Sequence, residues 1–102
     1  MDNLLEFQNK VLINIDELNK NSNEYHWLYS LLEEIQSNTN NEVLDDILNN
    51  RISTMMEYNT LVIYKLMNMS NYISLPEYQN VKLLNLILSD FKNIIKLKQI
   101  SK

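Results

Sequence analysis

The absence of glycine is the feature that most constrains how this chain can fold. Among 102 residues there is no Gly and a single proline, Pro76. Helices can therefore run for many residues without a break, and other residues must make the turns. Asn tolerates the left-handed backbone conformation that usually requires Gly, and the chain contains seventeen Asn residues. We expect Asn to replace Gly where the chain turns.

The remaining composition indicates one globular domain encoded by an AT-rich genome. Ala and Cys are absent as well, whereas Ile occurs eleven times. Gly, Ala and Pro have GC-rich codons, and Asn, Ile and Lys have AT-rich codons, so codon bias explains this usage better than an asparagine-specific function. Hydrophobic residues at 45% and charged residues at 22% are typical of a folded protein. The length suits a single domain spanning 1–102.

The apolar spacing predicts helices in the first part of the chain. Apolar side chains recur every three or four residues in two successive segments. These stripes are Leu4, Phe7, Val11, Ile15 and Leu18, then Tyr25, Leu28, Leu31, Leu32 and Ile35. Asn21 with Glu24, and Thr39 with Glu42, match the capping-box spacing and predict helix starts after two Asn-rich loops.

The third segment, 41–72, contains no Pro or Gly and predicts a long helix. One apolar stripe is Leu44, Ile47, Leu48, Met55, Tyr58, Val62, Leu66 and Met69. A second stripe, about 100° away, is Ile52, Met56, Ile63 and Met67. Two apolar sides predict that this segment is the central element of the fold. A break near Asn59 and Thr60 is an alternative, because such residues favour helix ends.

The sequence SLPE predicts the start of the last helix, with Ser74 as the cap, Pro76 in the first turn and Glu77 completing the capping box. The apolar stripe of this helix is Val81, Leu84, Ile87, Leu88, Phe91 and Ile95. No segment has the alternating pattern of a strand. The predicted fold is all-α, an antiparallel bundle of four helices, or five if the third segment divides.

The residue types exclude most enzyme chemistry. Without Cys there is no thiolate nucleophile, disulfide or cysteine-ligated zinc. The single histidine, His26, lies outside the apolar stripe, and no second His is present to complete a metal site or a catalytic pair. We therefore expect no enzyme activity, no cofactor and no metal. The first residues lack a secretory signal and no window is apolar enough to span a membrane, so a cytoplasmic location is expected.

The charge is unevenly distributed along the chain. Residues 1–81 carry twelve acidic and four basic side chains, and residues 82–102 carry five Lys against Asp90 alone. An acidic protein is not expected to bind nucleic acid. The basic end is either a solvated surface or a contact for a membrane or a partner helix. The candidate partner-binding residues there are Lys82, Leu86, Lys92, Lys96 and Lys98.

Two further residues depart from the apolar pattern. Trp27, within the stretch EYHWLY (24–29), is expected at the edge of its stripe, where a neighbouring helix covers it or a partner binds it. Arg51 falls inside the main apolar stripe of the third segment. An Arg on a mostly buried side must find a carboxylate or reach the rim with its stem packed, and a structural ion pair is the default prediction.

Parts of the second half resemble the enterocin A type of immunity protein for class IIa bacteriocins. The similar stretches are LNNRI (48–52) and NYISLPEYQNVKLLNLI (71–87). The resemblance implies a cytosolic four-helix bundle that protects the producing cell by acting on the bacteriocin-occupied mannose permease from inside. It also implies that the C-terminal region selects the bacteriocin, which would place specificity on the last helix. Family members are mostly basic, whereas this chain has a net charge of −4.

Two other classes of function fit the same sequence. A phage- or plasmid-encoded regulator or inhibitor, such as an antitoxin or an anti-defence protein, could use the last helix against nucleic acid or an enzyme. A helical chaperone or subunit could use the stripe containing Met56 and Met67 as an adaptable surface. All three classes act by contact rather than by catalysis.

Overall fold

The computed structural model describes residues 2–100, and these residues form an all-α bundle. The α-helices are α1 (Asp2–Asn21), α2 (Trp27–Ser37), α3 (Asn41–Asp46), α4 (Ser53–Leu66) and α5 (Pro76–Ile100). A π-helical turn (Ile47–Ile52) joins α3 and α4 into one continuous helix, and 3-10 turns cover Asn23–Tyr25 and Tyr72–Ser74. No strand occurs among the described residues. The predicted all-α bundle is confirmed, with four helical segments.

Contacts between helices show that α1 and the α3–α4 helix both run antiparallel to α5. Lys10, in the middle of α1, lies 3.9 Å from Asp90. Glu17, later in α1, shares a groove with Leu83, which comes earlier in α5. The helix α1 is therefore antiparallel to α5. Asn59 of α4 bonds Asn85, whereas Gln99, later in α5, bonds Asp45 of α3. The α3–α4 helix is therefore also antiparallel to α5.

The last helix, α5, is the central element, and the prediction that the third segment occupies that place is wrong. The helix α5 packs against α1, α2, α3, α4 and the π-helical turn. Its fully buried side chains are Ile87, Leu88, Phe91, Ile94 and Ile95. By contrast, the buried residues of α4 are only Asn59 and Leu66. Of the second stripe of the third segment, Ile52 is buried and Met56 packs against the core, whereas Met67 is 46% exposed.

Most of the predicted core is buried as expected. The first two stripes contribute Val11, Ile15, Leu18, Leu28, Leu31, Leu32 and Ile35, all buried, with Leu4, Phe7 and Tyr25 packed against them. Leu44, Ile47 and Ile52 add to the same cluster from α3 and the π-helical turn. The three- and four-residue spacing thus identified the core wherever two helices meet.

Two helix starts are capped one residue later than predicted. Ser22, not Asn21, accepts a hydrogen bond from the backbone N–H of Glu24 at 3.2 Å. Asn40, not Thr39, accepts from the N–H of Glu42 at 2.9 Å. Both capping residues have extended backbones, whereas Asn21 is still the last residue of α1. In both cases the side chain that caps belongs to the extended residue directly before the first helical one.

The break predicted near Asn59 does not occur, and the helix is irregular earlier. At the π-helical turn the N–H of Ser53 donates to the carbonyl of Leu48, five residues back, and the Ser53 hydroxyl donates to the same oxygen at 2.9 Å. Thr60 stays helical, and its hydroxyl donates to the Met56 carbonyl at 2.9 Å. These polar side chains satisfy their hydrogen bonds without ending the helix.

The connection to α5 uses Asn where Gly would be expected. The helix α4 ends at Leu66 rather than at residue 72. Asn71 has φ 58 and ψ 32, in the left-handed region. Ser74 does not cap α5, because its hydroxyl donates to the Asn71 carbonyl at 2.8 Å within the 3-10 turn. Pro76 begins α5 as predicted, and Asn71 confirms that Asn replaces Gly at a turn of this chain.

Candidate functional site

The structure divides the predicted partner-binding residues of α5 between different surroundings. Lys92 and Lys96 are one helical turn apart, with Lys92 half-buried and Lys96 exposed. Lys82 lies about 15 Å further back along the helix axis. Its ammonium lies 5.4 Å from the centre of the Tyr78 ring, and with Leu86 it lines a groove beside α1. The basic residues of α5 therefore do not form one patch.

Lys92 faces α4 across an open groove of about 550 Å³. The groove is lined by Ser53, Met56, Glu57, Thr60, Leu61 and Lys92. Leu61 is exposed over 66% of its surface. The groove thus offers apolar side chains beside one cation and one anion. Such a surface suits a protein partner with an apolar side chain and a carboxylate.

Lys98 is partly buried and bonded to the end of α2. Its ammonium donates to the carbonyls of Ile35, Gln36 and Asn38 at 2.5, 2.7 and 2.6 Å. These carbonyls lie at the C-terminal end of α2, where a helix carries partial negative charge and free acceptors. Lys98 therefore links the end of α5 to the end of α2. It does not belong to the same surface as Lys92 and Lys96.

Acidic residues lie close to the basic end of α5. The Gln99 amide donates to the carboxylate of Asp45 at 2.7 Å, and α3 packs against α5. Besides Asp45, this short helix carries Glu42 and Asp46. Because these carboxylates are near, the excess of five Lys over one Asp in 82–102 overstates the positive potential at this end of the molecule.

Trp27 is the first residue of α2 and is 37% exposed. It borders an apolar cavity of about 370 Å³ that lies between α2, α4 and α5. The other lining residues are Thr54, Met55, Tyr58, Asn59 and Leu84. The indole thus sits at the rim of the core, with one side against neighbouring helices and the other accessible.

The stretch EYHWLY is not one continuous helical turn. Tyr25 ends a 3-10 turn, His26 is an exposed junction and α2 begins at Trp27. The Tyr29 hydroxyl donates to the Asp16 carboxylate, and this bond, with some burial, raises the pKa of Tyr29. The stretch therefore joins α1 to α2 through packing and hydrogen bonds, and it brings no nucleophile or base together with His26.

Arg51 forms an ion pair with Glu34 across the interface between the π-helical turn and α2. Its guanidinium donates to both carboxylate oxygens of Glu34, at 2.9 and 2.8 Å. The Arg51 side chain is 44% exposed, so the expectation of a mostly buried setting is wrong. Ion pairs this accessible to water stabilise a protein by about 0–1 kcal/mol. The π-helical turn moves Arg51 out of the apolar stripe on which a regular helix would place it.

Two polar groups are buried although the sequence analysis did not predict their burial. The Asn59 amide donates to the Asn85 side chain at 2.9 Å, linking α4 to α5. Asp90 is 4% exposed, and one of its carboxylate oxygens has no hydrogen-bond partner. Burial raises the pKa of Asp90, and the nearby Lys10 only partly opposes this shift. Asp90 lies three residues after Ile87, so the apolar spacing contained the signal.

Comparison with known protein families, curated proteins and solved structures gives no match for this chain. Within residues 2–100, no three His, Asp or Glu side chains are grouped as metal ligands would be. None of the helices in this part of the chain is both long and apolar enough to cross a membrane.

Proposed function

We propose that this chain is a non-enzymatic protein that binds another protein and thereby protects a bacteriocin-producing cell from its own bacteriocin. The binding surface in this proposal, here termed the Lys92 surface, consists of Met56, Leu61, Lys92 and Lys96. The observation that carries it is an exposed leucine beside a half-buried lysine in an open groove between α4 and α5. Apolar surface of this kind is characteristic of protein contacts.

The immunity proposal rests on the resemblance of LNNRI (48–52) and residues 71–87 to the enterocin A type of immunity protein. The first stretch forms most of the π-helical turn, and the second covers the turn before α5 and the first half of that helix. In this proposal the partner is the bacteriocin-occupied mannose permease at the inner face of the membrane. Lys96, exposed beside the groove, would also be attracted to an anionic leaflet.

Reversing the two charges of the Lys92 surface tests this function. We expect Lys92→Glu/Lys96→Glu to fold normally, because accessible charges contribute little to stability. We expect the variant to protect bacteriocin-sensitive cells poorly, since each cation near a membrane surface is worth about 1 kcal/mol. In vitro, binding of the parent protein to anionic vesicles should weaken as salt rises. Protection is measured by growth in the presence of the bacteriocin, and folding by circular dichroism.

A charge-matched control separates a local effect from a change in net charge. Lys92→Gln/Lys96→Gln and Lys20→Glu each change the net charge by two units, and Lys20 lies on α1 with its charge paired to Glu17. We expect only the first variant to lose protection. Full protection by Lys92→Glu/Lys96→Glu would show that the Lys92 surface is not the site. A parent protein that protects no sensitive cells would refute the immunity function itself.

The genes beside this one separate the three classes of contact function. A neighbouring gene for a short secreted peptide supports immunity. A neighbouring toxin or nuclease gene supports the regulator or inhibitor class, and neighbouring structural phage genes support the chaperone or subunit class.

A further inference from the structure

The side of α4 that faces away from the bundle is apolar and exposed. Asn59 and Leu66 face the core, whereas Tyr58, Leu61 and Tyr64 are 67%, 66% and 63% exposed. These three residues recur at intervals of three and so form a stripe on the outer side of the helix. Single exposed apolar residues are common on proteins, but a stripe of three large ones indicates a surface that another molecule covers.

The stripe is symmetric about Leu61 in both its apolar and its charged residues. Tyr58 and Tyr64 lie three residues before and after Leu61, and Glu57 and Lys65 lie four residues before and after it. Both charged residues are exposed. Neither belongs to an ion pair within residues 2–100. If a second copy of this helix runs in the opposite direction, its Lys65 lies opposite Glu57 and its Glu57 lies opposite Lys65.

We propose that this chain forms a homodimer in which α4 packs antiparallel against α4 of a second copy, with the twofold axis at Leu61. A twofold axis gives an isologous interface, in which each residue meets its mirrored position on the other copy. Leu61 then meets the partner's Leu61, and Tyr58 lies level with the partner's Tyr64. Glu57 lies level with the partner's Lys65, and the symmetry repeats this ion pair on the other side of Leu61.

The spacing of packed helices allows these ion pairs. Two packed helix axes lie about 8–10 Å apart. At that separation the Cβ atoms of Glu57 and of the partner's Lys65 are about 6 Å apart, as in an ion pair one turn apart on a single helix. A parallel arrangement would instead place Glu57 beside the partner's Glu57. The charges therefore select the antiparallel dimer.

The same charges argue against an anionic membrane as the occupant of this stripe. A helix that lies on such a membrane carries Lys or Arg along its polar edges. Here one end of the stripe has Lys65, but the other has Glu57, which an anionic surface would repel. A second copy satisfies both charges at once.

The size of the contact predicts a dimer that dissociates readily. One pair of helices touching over two to three turns buries less than the roughly 1,200 Å² of a small specific interface. Weak interfaces of this kind have dissociation constants between about 1 µM and 1 mM. Sedimentation equilibrium of the full chain over this concentration range is therefore the measurement that detects it.

Charge reversal and its rescue test the antiparallel pairing. Glu57→Lys alone and Lys65→Glu alone each create two like-charge pairs in the dimer, and we expect each to weaken dimerisation about tenfold or more. The double variant Glu57→Lys/Lys65→Glu restores two opposite-charge pairs and should dimerise like the parent. An equimolar mixture of the two single variants should form a heterodimer of similar strength, because lysines then meet glutamates at both positions.

The rescue distinguishes pairing between copies from an effect within one chain. Residues 57 and 65 are eight positions apart on one helix and do not contact each other, so a loss of folding would not be reversed by combining them. Glu33→Lys on α2 and Lys20→Glu on α1 are exposed charge-matched controls and should leave the dimer unchanged. Leu61→Gln, at the axis, should abolish it while leaving the circular dichroism spectrum intact.

Two results would overturn the proposal. The first is a parent chain that stays monomeric up to about 1 mM, the upper limit of the weak range. The second is a pair of weakened single variants that neither the double variant nor the mixture rescues. Glu57 and Leu61 also line the groove of the Lys92 surface, so the second copy would compete with a partner there. Sedimentation of the purified chain measures the dimer and growth in the presence of bacteriocin measures protection, so failure of the dimer and failure of the immunity function are separate outcomes.

Discussion

The two ends of the bundle differ in how many helices cover their apolar side chains. At the closed end, where Lys98 reaches the last residues of α2, the segments α1, α2, α3 and α5 come together and Ile94 and Ile95 are fully buried. At the open end, which comprises Tyr58 to Ile73, α4 packs mainly against α5. The side chains exposed there include Tyr64, Met67 and Ile73.

The length of α2 explains this difference. The helix α2 has eleven residues and begins at Trp27, level with Tyr58 of α4 and Leu84 of α5. Beyond Trp27 no part of α2 covers the outer part of α4. The apolar spacing is present at both ends, but it forms a core only where a neighbouring helix is long enough to meet it. The open end is consequently where apolar surface remains for contacts with other molecules.

The largest difference between the ends should appear when a large aromatic side chain is removed. Phe91→Ala, at a fully buried position, should lower the free energy of unfolding by about 3–5 kcal/mol. Tyr64→Ala, at the open end, should lower it by no more than about 0.5 kcal/mol. Urea unfolding followed by circular dichroism, at concentrations where the chain is monomeric, measures both. A loss above about 2 kcal/mol for Tyr64→Ala would mean that the open end is packed.

Removing a lysine from the closed end should have the next largest effect. Lys98→Met removes the charged donor of three hydrogen bonds to carbonyls at the end of α2. We expect a loss of about 1.5–3 kcal/mol, the range for hydrogen bonds to charged groups. Lys96→Met is the matched control, because it lies two residues away and its side chain is exposed. Equal stability of the two variants would show that Lys98 does not hold α2 and α5 together.

The smallest effect should be a gain in stability at Asp90, the buried carboxylate of α5. Burial raises its pKa, so the folded protein holds this proton to a higher pH than the unfolded chain does. Its ionisation therefore lowers stability as pH rises through the folded-state pKa, and the penalty is absent below the unfolded pKa of about 3.9. We expect Asp90→Asn to add about 1 kcal/mol at neutral pH, the lower limit for an unsatisfied buried acceptor.

The pH dependence of the Asp90 variant is the more specific measurement. The gain from Asp90→Asn should shrink as pH falls and should vanish below about pH 3.5. Glu6→Gln, at an exposed position of α1, removes a carboxylate without relieving burial and should change little at any pH. If Asp90→Asn remained equally stabilising in acid, the ionisation of Asp90 would not be the cause of its destabilising effect.

Local sequence patterns predicted the helices and most of the core. They failed where burial depends on contacts with residues far away in the chain. The stripe from Val11 to Leu18 was correctly assigned because the spacing alone orients those side chains. The two caps were predicted one residue too early, because the cap is the residue directly before the first helical one and side-chain spacing does not show that boundary. The central role was given to the third segment because apolar periodicity does not show whether a neighbour is present. Arg51 was predicted to lie in the apolar stripe because regular helical spacing was assumed, whereas it lies within a π-helical turn that lacks this spacing.

The sequence by itself determined that this protein is helical, that its turns use Asn, and that it lacks the residues for thiol or paired-histidine chemistry. These properties follow from residue types and from spacings of three to eight positions, over which a helix imposes its own geometry. Only the tertiary structure decided that Lys98 bonds to the end of α2 while Lys96 is exposed, that Asp90 is buried, and that the outer side of α4 is uncovered. These three properties depend on which helices pack together and on where a short helix such as α2 ends. Contacts between residues far apart in the chain leave no periodic pattern in the local sequence.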